Sequence, residues 1–323
     1  MKKLSITTRI VLIATIPLLA FIIMGAIIVE QQNSERQVLK SMQQNTRLFT
    51  STSRLMGDLQ RERGRTALFH SGGATLADIA ELRQKTDDGL KNWGESLKSA
   101  HLADSKALEA AKSVPQVLAG IRKENEQPDQ SKRDKAIQDY SAIVQTFFDL
   151  LSDIANGKTT RGFGKQLTSM LLLESAKENA GLLRANISSL LARNTPLSQE
   201  ELTRIVNLKS GIDISLNSPA LVLTAQAKDR LAGFQKSSDW TEVNRMFQEV
   251  VFRSSQGDFG INPDVFWKPV SRQVDDLGDL VQVSLTSMET KLQSIVGQVN
   301  HDVLLLAAVI VAAIGCTAFI TFK

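Results

Sequence analysis

The stretch "LQRERGRTALFHSGG", residues 59–73, places three arginines within five positions of a run that otherwise favours a helix. It ends in Ser-Gly-Gly, and paired glycines after such a run predict a helix end. Between similar breaks elsewhere, Ala, Leu, Gln, Lys and Glu dominate and strand signals are scarce. The chain is therefore predicted to be all-α. The predicted breaks are residues 70–75, 124–132, 156–164, 192–201, 216–220, 234–240 and 257–264.

Two local signals sharpen this prediction. Ser198 followed by Glu201 is a capping box, which predicts a helix start there. Apolar residues then recur every three or four positions from Leu277 to Val299, which predicts a helix that continues into the apolar run beyond it.

Two apolar runs of about 20 residues, 10–29 and 303–322, flank the helical segment and contain no charge. That length is enough to cross the hydrocarbon core of a bilayer. The alternative for the first run is a cleaved secretory signal, whose apolar region is roughly 7 to 15 residues long. This run is longer and leads directly into Glu30. Two transmembrane helices are therefore predicted.

The flanks of the runs predict their orientation. Lys2, Lys3 and Arg9 precede the first run and Lys323 follows the second, with no acidic residue in either flank. Because cytoplasmic flanks are enriched in Lys and Arg, both termini are expected in the cytoplasm of a bacterial inner-membrane protein. The predicted organisation is a cytoplasmic N-terminus at 1–9, a first span at 10–29, a periplasmic helical domain at 30–302 and a second span at 303–322.

Charge and cysteine content exclude several function classes. The four flanking cations account for the whole net charge of +4. The pI of about 9.1 therefore reflects membrane topology, and no nucleic-acid partner is expected. Cys316, the only cysteine, lies inside the second apolar run, which leaves the periplasmic segment without a disulfide or a thiolate metal site.

No catalytic or cofactor motif is recognised. "NGKTT" at 156–160 lacks the glycine that a phosphate-binding loop needs five residues before Gly157, where Ser152 stands. The three histidines have no metal-ligand spacing and are expected at the surface or at an interface. The chain is not expected to be an enzyme, and neither a cofactor nor a metal is predicted. The three histidines that lack metal-ligand spacing are His70, His101 and His301.

The arginines fall on different helix faces. Arg54, Arg61 and Arg65 follow helical spacing with Asp58, which predicts a solvated polar face with charge pairing. Arg63 instead interrupts an otherwise apolar stripe.

Arg184 interrupts a second apolar stripe in the same way, and a glycine lies near each of these two arginines. Gly64 follows Arg63, where it would let another backbone approach closely, and Gly181 lies three residues before Arg184.

Two interpretations of Arg63 and Arg184 remain open. In the structural interpretation, each forms an ion pair with a carboxylate such as Glu62, Glu174 or Glu178, or extends to water. In the functional interpretation, the two guanidinium groups face each other across a helix interface and share a small planar oxyanion.

At these residues the chain resembles the NIT domain, a nitrate- and nitrite-sensing module of bacterial chemoreceptors, sensor kinases and related regulators. The resemblance covers roughly residues 45–290. It rests on "LQRERGRTALF", "LESAKENAGLLRANISSLLA" and "INPDVFWKPVSRQVDDLGDLVQ", in that order. It implies two stacked four-helix bundles that bind nitrate or nitrite between them through arginines.

Carried over to this chain, the resemblance implies that Arg63 and Arg184 bind the ligand, with Gly64 and Gly181 beside them. The sequence departs from the commoner family wording at Asn179, Leu183 and Lys268-Pro269, which bears on ligand identity more than on fold. Trp267 is expected to pack at a bundle end without touching the ligand.

The expected function is that of a homodimeric bacterial transmembrane receptor for nitrate or nitrite, the sensory part of a methyl-accepting chemotaxis protein. Its output is expected from a cytoplasmic signalling domain that is absent from this chain. Two alternatives stay open: a sensor of another small ligand, such as a dicarboxylate or an amino acid, and a membrane-anchored scaffold for a periplasmic protein.

Overall fold

The computed structural model describes residues 6–100, 102, 105–160 and 162–322. These residues form helices and no strand, which confirms the all-α prediction. A short 3₁₀ turn, Gln130–Lys132, precedes the fifth helix. The helices are α1 (Ile6–His70), α2 (Leu76–Ser99), α3 (Lys106–Lys112), α4 (Val114–Glu124), α5 (Arg133–Asn156), α6 (Phe163–Arg193), α7 (Gln199–Leu216), α8 (Ala225–Gln235), α9 (Ser238–Phe252) and α10 (Pro263–Phe322).

All seven predicted breaks fall between helices, but two further breaks were missed. One separates α2 from α3, where Ser105 caps α3 by accepting a hydrogen bond from the Leu108 amide. The other lies at Ser113, just before Pro115 near the start of α4. Serine at an N-cap and proline in a first helical turn are start signals. Neither break contains a glycine, which explains why they escaped notice.

The predicted capping box at the start of α7 is confirmed. The Ser198 hydroxyl accepts from the Glu201 amide, and the Glu201 carboxylate accepts from the Ser198 amide at 2.8 Å. Hydrogen bonds from the Arg193 side chain and the Ser198 backbone lower the pKa of Glu201 to about 2. The α6–α7 turn is thus closed by a carboxylate that stays ionised at neutral pH.

The chain divides into two compact units. One consists of Met1–Gln43 and Thr290–Lys323. In this unit α1 and α10 pack closely at Gly25. A Cβ added at this position would lie only 2.8 Å from the Ile310 side chain.

The predicted apolar stripe of α10 is buried, from Leu277 to Val299. Within the described residues one helix, Pro263–Cys316, is long and apolar enough to cross a membrane; its most apolar window has a mean hydropathy of 2.0. The first predicted span, 10–29, includes side chains outside the described part of the chain and stays a prediction, as does the position of both termini.

The other unit, Gln44–Glu289, holds the aromatic core. Phe49, Tyr140 and Phe147 are fully buried, and each phenylalanine side chain contributes about 1.5 to 3 kcal/mol of transfer free energy. Trp93 packs edge-on against Phe147 and donates a hydrogen bond of 3.0 Å to the Thr52 hydroxyl. These contacts pack α2 and α5 against α1.

Candidate functional site

A cavity of about 1270 Å³ opens within the unit Gln44–Glu289, with walls formed mainly by α1, α5, α6 and α10. The four residues predicted to form the site, Arg63, Gly64, Gly181 and Arg184, all line it. Two arginines that are far apart in sequence therefore face one space, as the functional interpretation requires.

Arg63 is held by a carboxylate. Its Nη1 and Nη2 donate to the two carboxylate oxygens of Glu178 at 2.5 Å and 3.0 Å. Nη1 also donates to the Ser141 hydroxyl at 2.8 Å, and Gln60 donates to Glu178 at 2.7 Å. The Arg63 side chain is only 6% exposed. The structural interpretation thus applies to Arg63, with Glu178 as the partner.

The two other carboxylates named as candidate partners bind elsewhere. Glu62 is fully buried and accepts from Arg122 at 2.8 Å and 2.9 Å and from the Tyr140 hydroxyl at 2.7 Å. Burial acts to raise the pKa of Glu62, but these hydrogen bonds and one from Thr86 outweigh it, so the pKa is lowered. Glu62 therefore belongs to a separate charged cluster.

Glu174 pairs with Lys177 at 2.6 Å and accepts a short hydrogen bond from the Ser53 hydroxyl. Both partners of this ion pair are buried, and Lys177 lines the cavity. The cation of Lys177 is therefore neutralised within α6 itself.

Arg184 is held differently. Its Nη1 donates to the Ser271 hydroxyl at 2.9 Å, and its guanidinium lies over the Trp267 ring at 4.6 Å from the ring centroid. Nε is buried and has no hydrogen-bond partner among the described residues. Burial lowers the pKa of Arg184, and so does the charge of Arg63, while Asp275 acts in the opposite direction. Arg184 is thus a weakly compensated cation at the cavity wall.

Trp267 was expected to pack at a bundle end without touching the ligand, and the structure places it at the cavity. The indole lines the cavity and supports the Arg184 guanidinium through a cation–π contact. Trp267 and Ser271 lie four residues apart on α10, so one helix face supplies both groups that hold Arg184.

The two glycines are part of the cavity wall. A Cβ at Gly181 would lie 3.9 Å from Arg63 Nη2, whereas a Cβ at Gly64 would meet no atom within 4 Å. The expected close approach of another backbone at Gly64 is therefore wrong, because the space beside this residue is open.

Ser188 was not recognised from the sequence. Its hydroxyl is buried, lines the cavity and has no hydrogen-bond partner among the described residues. It lies four residues after Arg184, which places both on one face of α6. That spacing was the available signal.

Two of the three arginines predicted to be solvated lie at the rim of the cavity. Arg54 and Arg61 are exposed, and Arg61 donates to Asp58 at 3.0 Å, as expected. Arg65 is half-buried and does not line the cavity.

His70 corrects another expectation, since it is buried. Its Nε2 lies 2.6 Å from the Asn125 side-chain oxygen, and its Nδ1 accepts from the Asp129 amide. His301 is exposed, and His101 lies outside the described residues.

Comparisons with known proteins identify the fold and the family of this chain. No curated protein matches the sequence. A solved structure of the NasR transcription antiterminator has a TM-score of 0.72 at 17% identity, over 92% of this chain and 82% of that one, which shows a shared fold. The family profile for nitrate and nitrite sensing matches residues 54–289 and so includes every cavity residue named above except Ser53. The chain therefore belongs to the NIT family of nitrate- and nitrite-sensing domains.

Proposed function

We propose that this chain binds nitrate or nitrite in the cavity, with Arg184 and Arg63 as the principal ligands of the anion. The observation that carries the proposal is the state of Arg184, a half-buried cation without an ion-pair partner among the described residues. A desolvated cation needs a compensating anion, and a guanidinium matches a planar oxyanion because its donors lie in one plane.

The unused hydrogen-bond donors of the two arginines support the binding of one shared anion. A guanidinium carries five N–H donors. At Arg63 the described bonds use both hydrogens of Nη1 and one of Nη2, which leaves donors along the edge that faces Gly181. At Arg184 the Nε donor is unused, and the Ser188 hydroxyl is a further candidate donor. Together these groups offer enough donors for the oxygens of one small anion.

The proposal includes two stacked four-helix bundles with the cavity between them. Its support is the pattern of contacts. The second half of α1 contacts α2 and α5 through Trp93 and Tyr140. In α6, Asn179 meets Gly211 of α7 and Arg184 meets Ser271 of α10.

We further propose a homodimeric inner-membrane receptor with cytoplasmic termini and a periplasmic sensor, the sensory part of a chemoreceptor. The basic flanks and the apolar segment of α10 support this topology. Because α10 carries Trp267 and Ser271 and continues to Phe322, a shift at the anion site would act on the helix that enters the membrane. The anion can shift the signalling equilibrium only by its differential affinity for the two states.

A sensor of a dicarboxylate is the second candidate, and the cavity volume favours it. At about 1270 Å³ the cavity exceeds what a nitrate ion fills. A protein-binding scaffold, the third candidate, predicts no small-molecule binding at all.

Calorimetry on the full chain in detergent separates these candidates. Titrations with nitrate, nitrite, malate and sulfate at constant ionic strength would be compared between the wild type and Arg184→Met. We expect nitrate or nitrite binding in the wild type and its loss in the variant. Arg61→Met, at the exposed rim, is the matched control and should bind as the wild type does. Binding of malate alone, or of no anion, would contradict the proposal.

A further inference from the structure

Among the residues that the structure describes, the buried charges around the cavity do not cancel. Arg63, Arg184 and Lys177 are three cations, and Glu178 and Glu174 are two carboxylates, so one positive charge remains. Arg63 pairs with Glu178 and Lys177 pairs with Glu174, and each of these four side chains is at most 12% exposed. Arg184 is the remaining cation of this set.

The other charged residues of the lining lie nearer to solvent. Asp264, Asp275 and Asp279 are exposed, as is Arg54. Arg61 and Asp58 pair with each other at 3.0 Å, with side chains 62% and 23% exposed, and so add no net charge. Arg133 and Arg193 pair with Asp134 and Glu201, respectively. Water and salt screen such charges, so the buried set dominates the potential at the anion position.

We propose that Glu178 makes the site selective for monovalent over divalent anions. A monovalent anion brings the buried charge to zero, whereas a dianion leaves one uncompensated negative charge. An unpaired buried charge is costly, which disfavours the dianion. The inference rests on the proposed function, since it concerns the anion that the two arginines bind.

The geometry assigns Glu178 this role because it acts through Arg63. Its two oxygens are engaged by Arg63, and Gln60 donates to one of them as well. Glu178 is not among the residues that line the cavity. It is therefore a positioning residue that contributes a fixed charge, and the ligand does not replace it.

The test compares nitrate and sulfate affinities at constant ionic strength, using full chains in detergent. Glu178→Gln removes the charge with little change of shape, and Glu178→Asp retains the charge. Glu124→Gln is the control: it removes one exposed carboxylate outside the cavity and so makes the same change in net charge.

We expect the wild type and Glu178→Asp to bind nitrate at least roughly tenfold more tightly than sulfate, because one unit of buried charge changes the interaction with each ligand charge by that order. In Glu178→Gln the nitrate-to-sulfate affinity ratio should fall roughly tenfold or more, and in Glu124→Gln it should stay at the wild-type value.

Three outcomes would overturn the inference. Unchanged affinities for both nitrate and sulfate in folded Glu178→Gln would leave the proposed function intact and remove the role of Glu178. Equal gains for both anions would show that Glu178 competes with the ligand. Equal nitrate and sulfate affinities in the wild type would overturn the inference even if Glu178→Gln does not fold. If the wild type binds neither nitrate nor nitrite, the proposed function fails as well.

Discussion

Arg63 and Arg184 line the same cavity, but within the described part of the chain only Arg63 has a carboxylate partner. Glu178 binds both Nη atoms of Arg63, whereas Arg184 is held by a serine hydroxyl and an indole face. Two arginines that look alike in the sequence should therefore respond in opposite ways when their charges are removed.

Arg184→Met should lose nitrate binding without losing stability. Its side chain carries a desolvation cost that no ion pair offsets, so an apolar replacement should leave the melting temperature of the ligand-free protein unchanged or higher. Loss of charged hydrogen bonds to the ligand, at about 1.5 to 3 kcal/mol each, should weaken nitrate binding roughly 100-fold. Thermal unfolding followed by circular dichroism, with and without nitrate, measures both effects. A less stable variant that still binds nitrate would contradict the assignment.

Arg63→Met should destabilise the protein by about 3 to 5 kcal/mol, because it leaves the Glu178 carboxylate buried without its cation. The double variant Arg63→Met/Glu178→Gln should recover part of this loss. A double-mutant cycle on the free energy of unfolding isolates the coupling between the two residues. Additive effects of the two single changes would mean that the ion pair contributes nothing.

Trp267→Leu should weaken nitrate binding by roughly three- to thirtyfold and leave the fold intact. The indole is half-buried, and its cation–π contact with Arg184 contributes about 0.5 to 2 kcal/mol. Trp267→Phe keeps an aromatic face and should lose less nitrate affinity.

Nitrate should also change the tryptophan fluorescence of the wild type. Trp267→Phe should abolish that change although Trp93 and Trp240 remain.

The Glu62 cluster should make stability depend on acid pH. Because its pKa is lowered in the folded state, the ionised Glu62 stabilises the protein above its ordinary pKa of 4.5, and this contribution is lost as the pH falls through the folded value. Glu62→Gln should cost about 3 to 5 kcal/mol at pH 7 and flatten the decline in stability as the pH falls below 4.5. Melting temperatures measured across this range test the prediction. Glu81→Gln removes an exposed carboxylate paired with Lys85 and should change the profile far less, because water screens that ion pair.

Two glycines between α9 and α10 allow a matched comparison of alanine substitutions. Both have positive φ, +72° at Gly257 and +64° at Gly260, so alanine at either position costs about 1 to 2 kcal/mol in backbone strain. A Cβ at Gly257 would also lie 2.8 Å from the backbone of Thr195, whereas one at Gly260 would meet nothing within 4 Å. Gly257→Ala should therefore lower the melting temperature further than Gly260→Ala. Equal decreases in melting temperature for the two variants would show that the α6–α7 turn moves away from the added Cβ at Gly257 without a cost in stability.

The local features of this protein were determined by its sequence. Helix breaks follow glycine, proline and capping residues, and the Ser198–Glu201 box was recognisable because its interactions span three residues. The apolar run of α10 and the helical spacing around Arg63 and Arg184 are equally local. These signals were sufficient to predict an all-α chain and to select two arginines that do line one cavity.

The partners of those arginines were decided only by the tertiary structure. Helical spacing shows which face a residue occupies, but the rotation and axial register between neighbouring helices determine which side chains meet. Glu62, Glu174 and Glu178 were therefore equal candidates for Arg63 in sequence, and packing of α1 against α6 selected Glu178. The same reason placed Trp267 of α10 beneath Arg184, because a contact across 83 positions of chain has no local signature.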